Sequence, residues 1–402
     1  MQKTTPYPFA LTAERYAWLV LAAVYLASIA APFNQFKVPP ILPALMDQFG
    51  VNLSQGGLLM SAVALTGLLL ALPAGVIVQR LGSRSSGLIA LGCLTAGALL
   101  GALSPSFGVL VISRIVEGVG IGMMGVIAPA TIAQWFPPQR QGTAMGIWAT
   151  WVPVGSVLMY NLAPHFTLLY GWQVVWWGGA VFTLLAAILY AWIVRQPPAS
   201  ANPPAPLPES SSTESSQRAL ANRDIWYLGC TFAIFNIVLV SIGTYYPTFL
   251  HETYGYPLGQ ASFLSSIATL VVFFSAPAAG WLSDRLNSRR LLIAIPFLAI
   301  AVLLLFPFKV KGSGIILLMS LQGLLVGAIP TATFAAAPEV MKKPQWAGLG
   351  LAVILFGQYV GQLIGPLAFG ELVLRLDWFR AGLLLIPVTL LGFVTAWKVR
   401  IR

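Results

Sequence analysis

The sequence predicts an all-α polytopic membrane protein whose twelve transmembrane helices form two six-helix repeats. Three observations lead to this fold class: the composition, the number of long apolar stretches, and a motif that occurs twice. Of the 402 residues, 58% are hydrophobic and 8% are charged, and the mean hydropathy is +0.83. Soluble globular domains carry about 25% charged residues, so the composition excludes a soluble protein.

The apolar stretches supply the number of spans, because one membrane helix needs about 20 apolar residues. The first stretch has no small-residue cleavage site, so we expect it to be retained rather than removed as a signal peptide. The predicted spans are 17–43, 54–79, 86–105, 108–135, 142–164, 173–195, 225–250, 259–284, 290–308, 313–340, 346–369 and 379–399.

A short motif follows the second and the eighth of these stretches. Residues 73–84 read PAGVIVQRLGSR and residues 277–289 read PAAGWLSDRLNSR, and from Gly75 to Arg84 the two copies match at a constant offset of 205 residues. A repeat of half the chain length indicates two copies of one structural unit. The matched pairs are Gly75 with Gly280, Arg80 with Arg285 and Arg84 with Arg289.

The repeat divides the chain into three predicted parts. Residues 1–195 form an N-terminal six-helix bundle and residues 223–402 form a C-terminal six-helix bundle. Residues 196–222 are rich in Pro, Ser and Ala, which is typical of a disordered linker. We expect this linker on the cytoplasmic side.

The positive charge of the chain predicts its orientation. With a cytoplasmic N-terminus, 16 of the 22 Lys and Arg residues flank the cytoplasmic ends of spans, and four flank the outer ends. The remaining two, Lys37 and Arg114, lie inside spans. Positive residues concentrate on the cytoplasmic side of membrane proteins, so we expect a multi-pass protein of the cell (cytoplasmic) membrane with both termini in the cytoplasm.

A cysteine at Ser212, in the predicted linker, tests this orientation. We expect Ser212→Cys to react with a membrane-impermeant thiol reagent only after the cytoplasmic face has been opened, because the linker is predicted inside. The parent chain, which retains Cys93 and Cys230, is the control for background labelling. Labelling of Ser212→Cys in intact cells would show that the orientation is wrong.

Both copies of the motif resemble the loop signature of the major facilitator superfamily of transporters, Gly-x-x-x-Asp-Arg-x-Gly-Arg-(Arg or Lys). The resemblance implies that the loops lie on the cytoplasmic side and gate transport. Gln79 stands where the family has Asp, whereas Asp284 keeps the carboxylate, so only the second copy can form the complete network. The implied gating residues are Gln79, Arg80, Arg84, Asp284, Arg285 and Arg289.

The fourth predicted span carries a second resemblance to this family. Arg114, Glu117, Gly118 and Gly120 match its pattern Arg-x-x-Gln-Gly-x-Gly, with Glu117 in place of Gln. Short stretches of spans 4 to 6 are also similar to the cyanate and nitroimidazole permease branch. This similarity favours a small anion as the substrate.

The sequence favours neither an enzyme nor a cofactor protein. It contains no Gly-Lys-Ser or Gly-Lys-Thr phosphate loop and no metal-ligand cluster, and its two histidines fall in predicted outer loops. The glycines of residues 120–125 fit a dinucleotide fingerprint by letter, but that motif requires a preceding strand. We predict no cofactor, no metal and no nucleic-acid partner. Cys93 and Cys230 are expected to be small buried core residues.

The resemblance further implies that the substrate lies between the halves near mid-membrane, lined by helices 1, 4, 7 and 10. Gln358 and Gln362 of the eleventh span are expected at the outer margin of this cavity. Glu117 is the predicted proton-coupling residue. The predicted substrate-binding residues are Asn34, Gln35, Lys37, Arg114, Asn236, Thr244, Tyr245, Gln322, Thr331 and Gln358.

Two charges inside spans indicate the chemistry of the site. A charged side chain at the bilayer centre costs about 2.5–3.5 kcal/mol on insertion scales, so it persists where it faces protein or water. Lys37 and Arg114 each lie roughly 9 Å from the outer end of a helix, hence at similar depth. Two alternatives remain: Lys37 snorkels to the interface, and Arg114 forms a structural pair with Glu117, three residues further on.

These observations predict a secondary transporter that moves a small anion by alternating access, with proton coupling through Glu117. The alternative is proton-driven export of hydrophobic drugs. The partners are the substrate and the lipid bilayer, and the chain is expected to be a monomer. Trp172, Trp176 and Trp177 are expected to anchor the outer interface.

Overall fold

The computed structural model describes residues 13–71, 73–195, 220–286, 288–342 and 346–401. Within these ranges the regular elements are helices, in agreement with the predicted fold class. Most of the predicted linker, residues 196–219, lies outside the described residues. The domain boundaries therefore stay a prediction.

The helices of the first half follow the predicted spans closely. Their order along the chain is α1 Ala13–Gln35, a 3₁₀ turn Pro39–Ile41, α2 Leu42–Phe49, α3 Leu53–Leu70, α4 Pro73–Ala102, α5 Phe107–Trp135, α6 Pro138–Trp148, α7 Trp151–Tyr170 and α8 Gln173–Ile193.

The helices of the second half also follow the predicted spans. Its helices are α9 Arg223–Tyr254, α10 Leu258–Leu286, α11 Arg289–Leu303, α12 Ser313–Val326, α13 Ala328–Met341, α14 Ala347–Arg375 and α15 Trp378–Lys398.

Ten helices of the described residues are long and apolar enough to cross a membrane. The remaining two predicted spans also fold as helices. Span 142–164 falls on α6 and α7, and span 290–308 falls on α11, which has only 15 residues. Ten of the twelve spans counted from the apolar stretches therefore coincide with helices that meet the criteria of length and hydropathy.

The first copy of the repeated motif lies within α4. The helical geometry is interrupted at Gly82, where φ is 77° and ψ is 157°. Glycine tolerates this positive φ because it has no Cβ. The residue therefore makes the tight turn between the second and third predicted spans.

A second interruption divides the first predicted span. The helix α1 ends at Gln35, and the chain re-enters helical structure through Pro39–Ile41 and α2. Pro39 and Pro40 have no backbone N–H and cannot continue the hydrogen-bond ladder of α1. The break leaves the carbonyls at the end of α1 without partners within the helix.

The two halves meet at the end of the molecule that contains Pro40, Leu53, Tyr245 and Pro366, which we call the sealed end. The Tyr245 hydroxyl lies 2.9 Å from the Leu53 carbonyl oxygen in the first half and 2.7 Å from that of Pro366 in the second. Gly57 makes room for it, since a Cβ there would lie 2.1 Å from the hydroxyl.

Further hydrogen bonds in the described structure join the halves. The Tyr160 hydroxyl donates to the Gly243 carbonyl at 2.7 Å, and Ser262 donates to the Pro40 carbonyl at 3.3 Å. Asn161 donates to Ser266 at 3.4 Å.

The buried apolar side chains form two clusters. One cluster contains residues of both halves, such as Val38 with Phe235 and Tyr245. The other, which includes Tyr16 and Tyr190, draws its buried members from the first half. The apolar core shared by the halves therefore includes the sealed end.

Candidate functional site

Three charged side chains meet inside the first half. Lys37 Nζ donates to one carboxylate oxygen of Glu117, and Arg114 Nη1 donates to the other. All three side chains are fully buried, with 0% exposure. Lys37 and Arg114 thus contact the same carboxylate, and the burial of Lys37 favours the interpretation that it faces protein over the snorkelling alternative. We call these residues the charged cluster.

Arg114 also caps the broken end of α1. Its Nη1 and Nη2 atoms donate to the carbonyls of Asn34 and Gln35, each at 2.8 Å, and Nε donates to the Leu59 carbonyl at 3.1 Å. The residue that would serve the Gln35 carbonyl in a continuous helix is Pro39, which has no N–H. The guanidinium therefore replaces the missing backbone donors, and a cation is favourable at a helix C-terminus.

Lys37 lies in a polar and aromatic enclosure. Its Nζ atom donates to Asn34 Oδ1 at 3.2 Å and lies 4.5 Å from the centre of the Trp176 ring. Asn34 Nδ2 donates to the Thr183 hydroxyl at 2.9 Å, and that hydroxyl donates to the Gly179 carbonyl at 2.7 Å. The Thr183 hydroxyl proton is donated to the Gly179 carbonyl, so the Thr183 oxygen accepts from the Asn34 amide nitrogen. With its nitrogen bound to Thr183, the Asn34 side chain directs its oxygen toward Lys37.

Close helix packing makes the cluster possible. A Cβ at Gly97 would lie 2.6 Å from the Glu117 Cγ, and one at Gly179 would lie 2.3 Å from Asn34 Oδ1. Small residues at such contacts let membrane helices approach closely. The glycine-rich segments of the first half thus leave room for the buried polar side chains.

A chain of three amides crosses from the first half to the second. Gln35 Nε2 donates to Gln362 Oε1 at 3.4 Å, and Gln362 Nε2 donates to Asn236 Oδ1 at 3.3 Å. Asn236 is anchored to its own helix by a bond from Nδ2 to the Phe232 carbonyl at 2.8 Å. We call Gln35, Gln362 and Asn236 the amide triad.

The structure brings six of the predicted residues into one polar network that spans both halves. Gln362 is the central link of this network, and its place at the outer margin of the cavity stays a prediction. The connected residues are Asn34, Gln35, Lys37, Arg114, Glu117 and Asn236.

The other predicted binding residues lie elsewhere. Tyr245 is at the sealed end, and Thr244 is buried with a hydroxyl that has no hydrogen-bond partner in the described structure. Gln322 lines a small cavity within the second half. Thr331 donates to the Gly327 carbonyl at 2.8 Å, and Gln358 is half-buried. Their role in binding stays a prediction.

The tryptophan prediction is wrong for two of three residues. Trp172 and Trp176 expose 5% and 0% of their surface, whereas Trp177 exposes 42%. The helical spacing of Trp176, Gly179 and Thr183 along α8, with Trp172 as the residue that precedes it, was the signal that could have placed them on one inward face. The role of Trp176 beside Lys37 was therefore missed.

The prediction for the cysteines also needs correction. Cys230 is exposed and Cys93 is half-buried, although both lie in apolar spans. In a membrane protein an apolar residue is compatible with lipid as well as with the protein core. Hydropathy therefore does not distinguish the two environments.

The loop residues make contacts within each half. Arg84 Nη2 donates to the Ala191 carbonyl at 2.8 Å. Arg289 lies 3.1 Å from the carboxylate of Glu339, and the Arg285 guanidinium lies 5.1 Å from the Trp281 ring centre. The Asp284 side chain lies outside the described part of the structure, so its gating role stays a prediction.

Comparison with known proteins identifies a family. The family model described as Major Facilitator Superfamily matches residues 24–319 and 260–402. A hexuronate transporter of Bacillus subtilis (strain 168) is 21% identical over 91% of this chain and 90% of its own length. The cyanate transport protein CynX of Escherichia coli (strain K12) is 26% identical over 83% of both chains.

A third relative has another described role. The chloramphenicol resistance protein of Streptomyces lividans is 26% identical over 93% of this chain and 95% of its own length.

A solved structure has the same fold. It is a bacterial homolog of the human lysosomal transporter Spinster in an inward-facing and unoccupied conformation, and the match has a TM-score of 0.82. The alignment covers 96% of this chain and 97% of that one, at 15% sequence identity. At this identity the likeness shows the fold alone.

Proposed function

Because the chain belongs to the Major Facilitator Superfamily, whose members are membrane transporters and not enzymes, we propose that it moves a small anion across the membrane together with a proton. The observation that carries this proposal is the charged cluster, in which Lys37 and Arg114 share the single carboxylate of Glu117. Two buried cations and one anion leave one net positive charge. Such a site attracts anions.

The coupling follows from how the cluster is paired. With Glu117 ionised, both cations are occupied internally and have no exposed surface. Protonation of Glu117 weakens these bonds, because charge-assisted hydrogen bonds are about twice as strong as neutral ones. A bound monoanion then replaces the negative charge that Glu117 has lost. The net charge of the cluster is therefore +1 both with ionised Glu117 and with protonated Glu117 plus the bound anion. Transport of a monoanion with one proton is accordingly electroneutral.

The transport cycle is alternating access. The halves are closed at the sealed end, and the positive loops that contain Arg80 and Arg285 belong to the opposite end of the spans. We assign these loops to the cytoplasm, with the protein a monomer in the cell membrane and both termini inside. The charge distribution of the sequence supports this orientation.

The relatives support an anion and leave one alternative. Hexuronate and cyanate, named for two relatives, are both anions at neutral pH. The chloramphenicol resistance protein favours the second candidate, proton-driven export of hydrophobic drugs. For that function a carboxylate would be a more usual group than Lys37 in the first predicted span.

A ligand-stabilisation screen of the purified protein distinguishes the two functions. The ligands are small carboxylates, cyanate, nitrate and cationic drugs. A ligand that binds the folded state raises the melting temperature according to its affinity. Stabilisation by one or more anions, stronger at lower pH, is expected. Stabilisation by cationic drugs alone would replace the anion function by drug export.

Asp284, the carboxylate of the second loop motif, is expected to contribute more to transport than Gln79, which stands at the same position of the first motif. Asp284→Asn removes the only carboxylate of the two motifs, whereas Gln79→Ala removes a neutral, exposed side chain. A charge-assisted network of this kind can hold one conformation of a transporter. We expect Asp284→Asn to impair uptake more strongly than Gln79→Ala at matched expression. Equal uptake by the two variants would argue against a special role for Asp284.

A further inference from the structure

The amide triad continues the charged cluster into the second half. Gln35 connects the two, since its backbone carbonyl accepts from Arg114 at 2.8 Å and its side chain donates to Gln362 at 3.4 Å. Gln362 in turn reaches Asn236 at 3.3 Å. A ligand that approaches Arg114 from between the halves would therefore meet neutral amides on the opposite side.

The triad has hydrogen-bonding capacity that its own contacts use poorly. A side-chain amide offers two N–H donors and an oxygen with two lone pairs. The bonds of 3.4 and 3.3 Å within the triad are longer than the usual range of about 2.7–3.2 Å. Asn236 and Gln362 nevertheless expose only 4% and 8% of their surface. Buried polar groups with weak partners suit a ligand that completes their bonds.

The division of chemistry between the halves indicates the kind of ligand. In the described network, the first half supplies the charges of Lys37, Arg114 and Glu117, and the second half supplies the neutral side chains of Gln362 and Asn236. A bare inorganic anion would use only the charged part. A larger anion with neutral polar groups would use both parts.

We propose that the amide triad recognises hydroxyl groups of the substrate, and that the substrate is a small hydroxylated carboxylate. The carboxylate binds at Lys37 and Arg114, and a hydroxyl takes the place of the weak bond between Gln35 and Gln362. This inference rests on the proposed anion transport and adds the substrate class. Gln35 and Gln362 belong to different halves. A substrate hydroxyl that replaces their hydrogen bond would therefore also replace a contact between the halves.

Matched pairs of acids test the inference on the wild-type protein. The pairs are glycolate with acetate, and D-glucuronate with cyclohexanecarboxylate, which differ chiefly in their hydroxyl groups. Binding to the purified full-length protein is measured by thermal stabilisation and by competition. The hydroxylated acid of at least one pair is expected to bind about tenfold more tightly, the effect of one hydrogen bond.

Two variants and a control locate the effect. Gln362→Leu and Asn236→Leu are expected to bind the hydroxylated acid no more tightly than its partner, because leucine cannot form the hydrogen bond. Gln173→Leu, at an exposed glutamine that begins α8, is expected to keep the wild-type preference. Loss of the preference in Gln173→Leu as well would overturn the assignment to the triad.

The outcomes separate this inference from the anion function. Equal binding within both pairs, or tighter binding of acetate and cyclohexanecarboxylate, contradicts the hydroxylated substrate but leaves anion transport standing. If cyanate alone binds, and Lys37→Ala abolishes that binding, the hydroxylated substrate is likewise contradicted and anion transport still stands. Failure of all these anions to bind contradicts both proposals.

Discussion

Lys37→Ala is expected to abolish uptake of the anion at low substrate concentration. Lys37 and Arg114 share Glu117, so without Lys37 the remaining pair is neutral and the site loses its net positive charge. A hydrogen bond to a charged group contributes about 1.5–3 kcal/mol, which predicts a fall in affinity of at least about tenfold. The measurement is uptake of the anion found in the screen, in reconstituted vesicles.

Lys309→Ala is the matched control for this loss. Lys309 lies 3.9 Å from the centre of the Phe379 ring, far along the chain from the charged cluster, and its removal is expected to leave uptake unchanged. Arg114→Ala is expected to abolish uptake too, but with a lower melting temperature, because the carbonyls at the end of α1 lose their donor. Full activity of Lys37→Ala would remove the anion proposal and favour drug export.

Glu117→Gln is expected to retain anion binding and to lose its dependence on pH. Glutamine has nearly the shape of a protonated glutamate but cannot ionise, so Lys37 and Arg114 stay available to the substrate at every pH. By the proposed mechanism, the wild-type protein is expected to bind the anion more strongly as the pH falls. The variant therefore carries the anion without the proton, and its transport becomes sensitive to membrane potential.

Binding and uptake over a range of pH around neutral, with and without an imposed membrane potential, measure both effects. Glu371→Gln serves as the control, because Glu371 pairs with Arg375 on an exposed helix face. Retention of wild-type pH dependence by Glu117→Gln would show that another group carries the proton.

The fold and the charged cluster were accessible from the sequence for a common physical reason. Charges are rare inside apolar spans, so Lys37, Arg114 and Glu117 stand out in the sequence as candidate residues, and the structure pairs them. The repeated loop motifs likewise marked the ends of helices. Both signals depend on strong local contrasts in polarity.

The contacts that sequence reasoning missed lack this contrast. Gln362 joins Gln35 across 327 positions of the chain, and no local pattern indicates which of two nearby glutamines on α14 makes the contact. Trp176 was assigned to the interface because tryptophan is common there. Its burial beside Lys37 depends on the relative rotation of α1 and α8, which packing determines.

The hydroxyl of Tyr245 has one proton and two carbonyl acceptors, one in each half. When the halves separate, the proton can turn to the carbonyl of Pro366, which lies in the same half as Tyr245. The hydroxyl then keeps a partner throughout opening, and the penalty of about 1–3 kcal/mol for an unsatisfied buried group does not add to the barrier. We therefore expect the Tyr245 contact with Leu53 to break without leaving this hydroxyl unsatisfied.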